Sequence, residues 1–288
     1  MQPILRSALL LSLLLFGCVP VSVLQPPSPL LLVVEGDTIV DFVGQLDSAD
    51  VFALSGQNGR AEGLIGSPQL NQADRDVLRV IATPGTLLRL VFSKDSADSA
   101  LQPFLVVADA SGKVLGLHDG ASQLSAEVQV VVPSQSSLFV VLQDSQNVND
   151  QALVGGGAFG YTLTLSEEPL TPEAVGPINT NTTSINSALS PGAGLALFSF
   201  DAVAGKKYSI LVDPSLVADP SFIPFLVIYS PASFEMGAVI TTDTPLQTIR
   251  GEFLFFGTGP TEVLFSVSDF FGAFGDNYSF TVSLREEL

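Results

Sequence analysis

Apolar and hydroxyl residues alternate in Tyr161-Thr-Leu-Thr-Leu165 and again in Tyr278-Ser-Phe-Thr-Val-Ser-Leu284. That period of two is the mark of a strand with one face on a core and the other in water. Further short apolar runs, such as Leu138 to Asp144 and Val263 to Asp269, are bounded by clusters of Gly, Pro, Asn, Asp or Ser. The pattern predicts an all-β chain of short strands joined by turns. Near the N-terminus it predicts strands over Leu30 to Val34, Thr38 to Val43 and Val51 to Leu54, followed by a turn-rich joint over Gly56 to Gly63.

The pattern then repeats. At a shift of 120 residues Ile65 falls on Ile185, Val77 on Leu197, Val80 on Phe200 and Gly85 on Gly205, and at 121 Pro103-Phe104-Leu105-Val106 falls on Pro224-Phe225-Leu226-Val227. Each copy holds about six strand-like runs, enough for a small antiparallel β-sandwich with its own core. The expected organisation is therefore N-terminal strands and joint over 30–62, a first sandwich over 63–168, a Pro-rich polar linker over 169–182 and a second sandwich over 183–288.

Composition narrows the function. Of 288 residues 47% are hydrophobic and 14% charged, which argues against disorder, while 25 Gly and 19 Pro argue against a long helical bundle. Eleven Lys and Arg against 29 Asp and Glu leave a net charge of −18, a surface that repels phosphate, so nucleic acid is not an expected partner and anionic lipid headgroups are not expected to attract the chain. A single Cys excludes an internal disulfide, and a single His excludes any site that needs two.

The N-terminus addresses the chain. Met1 to Arg6 carries one positive charge, and Ser7 to Phe16 is an apolar run of ten, too short for a bilayer span of about 20 residues. It reads as a signal peptide over 1–17. The following Leu15-Phe16-Gly17-Cys18 resembles the bacterial lipoprotein signal. That resemblance implies a diacylglycerol thioether on Cys18, cleavage before it and an acylated N-terminus; the alternative is a plain secretory signal with Cys18 incidental. Several acyl chains, at about 0.8 kcal/mol per buried CH₂, hold a protein on a membrane without spanning it. Val19 in place of Asp after the Cys implies the outer membrane if the host is Gram-negative. Pro20, Pro26, Pro27 and Pro29 make residues 18–29 a stiff, extended tether.

The first copy carries an ordered set of residues. These are Asp74-x-Asp76 before a strand, Gly85 in a turn, Pro103-Phe-Leu-Val-Val-Ala-Asp109-x-x-Gly112, Asp119, and a strand ending at Asp144 before Gly160-Tyr161-x-Leu-x-Leu. That order resembles the bacterial pre-peptidase C-terminal domain, a jelly-roll-like β-sandwich often appended to secreted proteases. The second copy is similar to a drifted member, with Gly194, Ala196 and Ser230 where the first has Asp74, Asp76 and Asp109. The resemblance bears on architecture, because function resides in sites and not in folds.

Candidate chemistry is sparse. His118, in Gly116-Leu-His-Asp-Gly120, reads as a surface residue of a hairpin turn, and no Gly-x-Ser-x-Gly or His-Glu-x-x-His motif accompanies it. Asp74 with Asp76, or Asp95 with Asp98, are pairs a carboxylate-dependent hydrolase would use, but without Trp a sugar platform is poorly provided. Calcium suits the acids better, since relatives of the family bind it and hard cations take loop carboxylates. Asp74, Asp76, Asp109 and Asp119 are the candidate ligands, and the alternative is that they cap turns. Phe270, Phe271 and Phe274 sit in a loop that spans 9 residues from Asp269 to Tyr278, against 17 from Asp144 to Tyr161. They are either core or a docking patch for an envelope protein, with Phe271 expected to be most exposed. The expected function is a non-catalytic cell-envelope lipoprotein displaying two binding or structural modules. The alternatives are an accessory subunit of a secreted or envelope enzyme, and the hydrolase.

Overall fold

The structure is a computed structural model. It describes residues 30–34, 50–54, 58–68 and 73–287, except 122, 136, 149–152, 177, 179–181, 190–193, 216–217, 258–259 and 276. The signal peptide, Cys18, the tether and the strand expected over Thr38 to Val43 lie outside the described residues. The chain divides into two compact units, Met1–Glu168 and Pro169–Leu288.

The first unit contains β1 (Leu30–Val34), β2 (Asp50–Ala53), β3 (Asn58–Leu64), β4 (Asp76–Ile81), β5 (Thr86–Lys94), β6 (Pro103–Asp109), β7 (Val114–Asp119), β8 (Ser125–Val131), β9 (Ser137–Asp144), a single helical turn α1 (Ser145–Val148) and β10 (Gly160–Pro169). They form two five-stranded sheets in the orders β1-β3-β10-β5-β8 and β2-β4-β9-β6-β7. The second unit contains β11 (Glu173–Ala174), β12 (Thr183–Ala188), β13 (Leu195–Ala202), β14 (Lys207–Pro214), β15 (Pro224–Tyr229), β16 (Met236–Thr241), β17 (Ile249–Leu254), β18 (Thr261–Asp269) and β19 (Ser279–Glu287). Its sheets run β12-β19-β14-β17 and β11-β13-β18-β15-β16.

The second set of orders is the first with each strand replaced by its counterpart in the repeat, except that β1 has no counterpart among the described residues. In both units a strand from the preceding chain, β2 or β11, adds in parallel to β4 or β13. The hairpin that follows slips register at matched places too, between Val107 and Ala108 in β6 and between Ile228 and Tyr229 in β15. A bulge kept at one place in both copies belongs to the frame and is not a local accident.

Each sandwich closes on the inward half of its alternating strands. In the first unit Leu88, Leu90 and Phe92 of β5 meet Leu105 and Val107 of β6, Val128 and Val130 of β8 and Leu138, Val140 and Leu142 of β9, all buried. Burying such side chains contributes about 1.5–3 kcal/mol each. In the second unit the same inward positions turn aromatic. Phe198 and Phe265 stack at 5.2 Å between ring centres, Phe198 meets Phe280 edge-on at 6.3 Å, and Phe200 lies 5.2 Å from Tyr208. Much of the chain's Phe content is therefore core, and the drift between copies exchanges aliphatic for aromatic volume on one frame.

Two segments differ from the sequence reading. From Asn58 the expected joint is strand: β3 lies between β1 and β10, with Ala61 opposite Leu163 and Gly63 opposite Tyr161. Its pattern is hard to see because the outward residues Arg60 and Glu62 pair with each other at 2.6 Å and the inward ones are small. The Tyr161 ring lies over Gly63, where a Cβ would come 2.5 Å from the phenol oxygen. The expected linker contributes β11, and Val175 after it is buried with its N–H bonded to Ser199 O at 2.7 Å. The sandwich boundaries expected at 63 and 183 therefore each leave out strands that belong to the unit that follows.

Candidate functional site

Three of the four nominated carboxylates hold backbone. Asp74 is buried and its Oδ2 accepts the N–H of Gly66. Asp76, also buried, opens β4 opposite Leu142. Asp109 Oδ1 accepts the N–H and hydroxyl of Ser111 and the N–H of Lys113, closing the β6–β7 turn. Asp119 Oδ1 accepts from Ala121 N at 3.1 Å and from the Ser145 hydroxyl at 2.7 Å.

These four acids do not converge. Asp119 pairs across the sheet with Phe104, whereas Asp109 lies five residues further along β6, roughly 17 Å away at a strand's rise per residue. One cation cannot reach both. Among the described residues no group of three His, Cys, Asp or Glu side chains is placed to share a metal ion.

The acids that organise the frame are the two that end matched strands. Asp144 Oδ2 accepts from Gln102 N at 2.7 Å and Oδ1 from Gln146 N at 2.8 Å. Asp269 Oδ2 accepts from Ile223 N at 2.9 Å, and its Oδ1 accepts from Phe271 N at 2.9 Å and Ala273 N at 3.2 Å. Burial pushes both acids upward, Asp269 to about 6, against the lowering effect of these donors. Both residues stand out in the repeat, but their partners lie 42 and 46 positions earlier and no local signal announces them.

His118 is not a surface turn residue. It belongs to β7, is 1% exposed and points inward, with Nδ1 accepting the Glu127 N–H at 2.8 Å. Desolvation holds its pKa below the ordinary value, so it is neutral at pH 7. Gly116, which suggested a turn, is where β7 passes close over β8: a Cβ there would lie 2.7 Å from Val128 Cγ1 and 3.1 Å from Val130 Cγ1.

The nominated rings are half-buried. Phe270 packs edge-on against Phe225 at 5.9 Å and against Phe271 at 5.1 Å, and Phe274 packs against the second core. Asp269 ties the backbone of their loop. Among the described residues the exposed aromatic is Phe256, at 83%, with Leu254 at 45% and Val203 at 46%. Phe256 ends the dense run Phe253-Leu-Phe-Phe256, and the alternation that turns it outward depends on the register of β17 with β14. The second unit also has a cavity of about 440 Å³ lined by Leu170, Pro172, Pro231, Phe234, Glu262 and Leu264, among others. Phe234 there has φ +52°, a left-handed conformation, in the β15–β16 turn.

No family model matches the chain, and no curated protein matches it. Among solved structures it is similar to the pre-peptidase C-terminal domain of collagenase from Bacillus anthracis, at 18% identity and a TM-score of 0.29, over 42% of this chain and all of that one. It is also similar to the CUB1-EGF-CUB2 domain of human MASP-1/3, at 12% identity and 0.21, over 78% of this chain and 99% of that one. A third is the tandem CBM22-1-CBM22-2 domain of Paenibacillus barcinonensis Xyn10C, at 12% and 0.24, over 73% of this chain and 82% of that one. At these TM-scores the likenesses carry no argument beyond a weak resemblance to such modules.

Proposed function

We propose that this chain is a non-catalytic cell-envelope lipoprotein, anchored through acylated Cys18, whose two β-sandwich units serve as binding or structural modules. In a Gram-negative host the outer membrane is its place. The observation that carries this reading is the same sandwich built twice behind Leu15-Phe16-Gly17-Cys18 and a Pro-rich tether. In both copies the strand-ending carboxylate is engaged with backbone N–H groups, which suits a scaffold. Labelled palmitate should enter the protein and fail to enter Cys18→Ala. Equal label in both, or label in neither, defeats the lipoprotein reading.

A further inference from the structure

The exposed apolar residues of the second unit lie on tightly bonded backbone. Phe255, next after β17, has both its backbone groups paired to the β13–β14 turn: Gly205 N donates to its carbonyl at 2.8 Å and its N–H donates to Lys206 O at 2.9 Å. Its ring is buried and folds over Gly257, where a Cβ would come 2.2 Å from it. Strand alternation then turns Leu254 and Phe256 outward together. Val203 opens the same turn, and its N–H is held by the Tyr208 hydroxyl at 2.8 Å.

The first unit shows that the frame does not require this. There Gly85 N bonds to Val132 O and Val132 N to Thr86 O, both at 2.9 Å, which is the same pairing. The positions matching Val203, Leu254 and Phe256 are Thr83, whose N–H and hydroxyl donate to Glu167, and Val131 and Pro133, both buried.

The charge nearby is equally local. The outer face of β19-β14-β17 and its adjoining turn gathers Lys206, Lys207, Arg250 and Arg285 against Glu252, Glu286 and Glu287, joined by ion pairs. With the exposed Asp213 of β14 counted, four cations stand against four anions and the face is neutral, in a chain of −18. That face is without the net repulsion that an acidic surface presents to an anionic membrane, while Asp201 and Glu262 stand exposed on the neighbouring sheet.

We propose that Val203, Leu254 and Phe256 form a tip that enters the headgroup–acyl boundary of a lipid bilayer, with Lys206 and Lys207 at headgroup level. A phenyl ring beside lysine stems suits that boundary. Three side chains cannot supply the roughly 800 Å² that each partner of a stable protein interface buries, whereas a bilayer demands no matching surface. The proposal rests on the lipoprotein reading, because acylation keeps a bilayer within reach and a second weak contact then suffices.

The chain has no Trp, so Phe256→Trp in the full-length protein installs a single reporter at a solvent-facing position. On vesicles of phosphatidylethanolamine and phosphatidylglycerol with brominated acyl chains, its emission should shift to the blue and be quenched. Adding Val203→Ser and Leu254→Ser should reduce the quenching, and Leu124→Trp, at an exposed place in the first unit, should not be quenched. Unquenched emission from folded, palmitate-labelled Phe256→Trp overturns the tip and leaves the anchor standing. Quenching on added vesicles without palmitate label does the reverse. A blue shift that grows with protein concentration in the absence of vesicles assigns the patch to a second copy of the chain and overturns the proposal.

Discussion

Asp144 stands to Gln102 as Asp269 stands to Ile223: a carboxylate ending one strand takes the N–H of the residue just before the proline that opens the neighbouring strand, at 2.7 Å and 2.9 Å. Proline has no N–H of its own to give, so the preceding amide is the last donor before the strand begins. The clasp joins the middle strand of a five-stranded sheet to its inner neighbour in each unit.

Asp269→Ala leaves the N–H groups of Ile223, Phe271 and Ala273 without this acceptor. Each buried orphan costs on the order of 1–3 kcal/mol, so the second unit should melt well below wild type, with the first unit's transition in place. Calorimetry that resolves the two transitions checks this, and the mirror result is expected for Asp144→Ala.

The pH response of the second unit follows from the same residue. Asp269 is raised to about 6 from an ordinary 3.8, chiefly by burial. Between those values the folded state keeps a proton that the unfolded chain has released, so stability increases as pH falls through 6 and stops changing below about 4. Denaturant midpoints of the second unit at pH 7 and pH 5 should rise on acidification in wild type and lose that increment in Asp269→Asn.

His118 drives the first unit the other way. Its folded pKa is depressed by burial, so below about 6.5 the unfolded chain takes up a proton that the folded state refuses, and stability falls as pH falls. Protonation also removes Nδ1 as the acceptor for Glu127 N–H. Hydrogen exchange at Glu127, after correction for its intrinsic pH dependence, should show less protection at pH 5 than at pH 7, and His118→Leu should remove that difference.

Phe234 occupies, at φ +52°, the left-handed place in a turn where the first unit has Gly112 at φ +84°. A side chain there costs about 1–2 kcal/mol, so Phe234→Gly should stabilise the second unit by about 1 kcal/mol, read as a raised urea midpoint. An unchanged or lowered midpoint would show that the ring's packing in the cavity outweighs the backbone relief.

Sequence alone made the duplication legible, because alternation, the turn glycines Gly85 and Gly205 and the Pro-Phe-Leu-Val openings survive the drift between copies. The strand β3 escaped because small inward and charged outward residues leave no apolar period, and only its neighbours β1 and β10 define it. Gly116 carried the same letter as a turn glycine while its cause was a close crossing over Val128 and Val130, which also hid the burial of His118. Spacing grouped Asp109 with Asp119, yet a hairpin sends residues that are near in sequence to its opposite ends. The outward turn of Phe256 depends on which of two adjacent rings the register buries, a property of Lys206 and Gly205 across the pairing and not of the Phe run itself.

The two residues of β11 have a consequence for how the second unit can be cut free. Glu173 and Ala174 cover the side of β13 that faces away from β18, and Val175 plugs the core just beyond them. A protease acting between Val175 and Thr183 would release a C-terminal piece whose β13 has lost its pairing at Phe198 and Ser199, beside an unfilled hole. Such an edge recruits other strands, so shed fragments starting at Thr183 should self-associate, and those starting at Pro169 should remain monomeric.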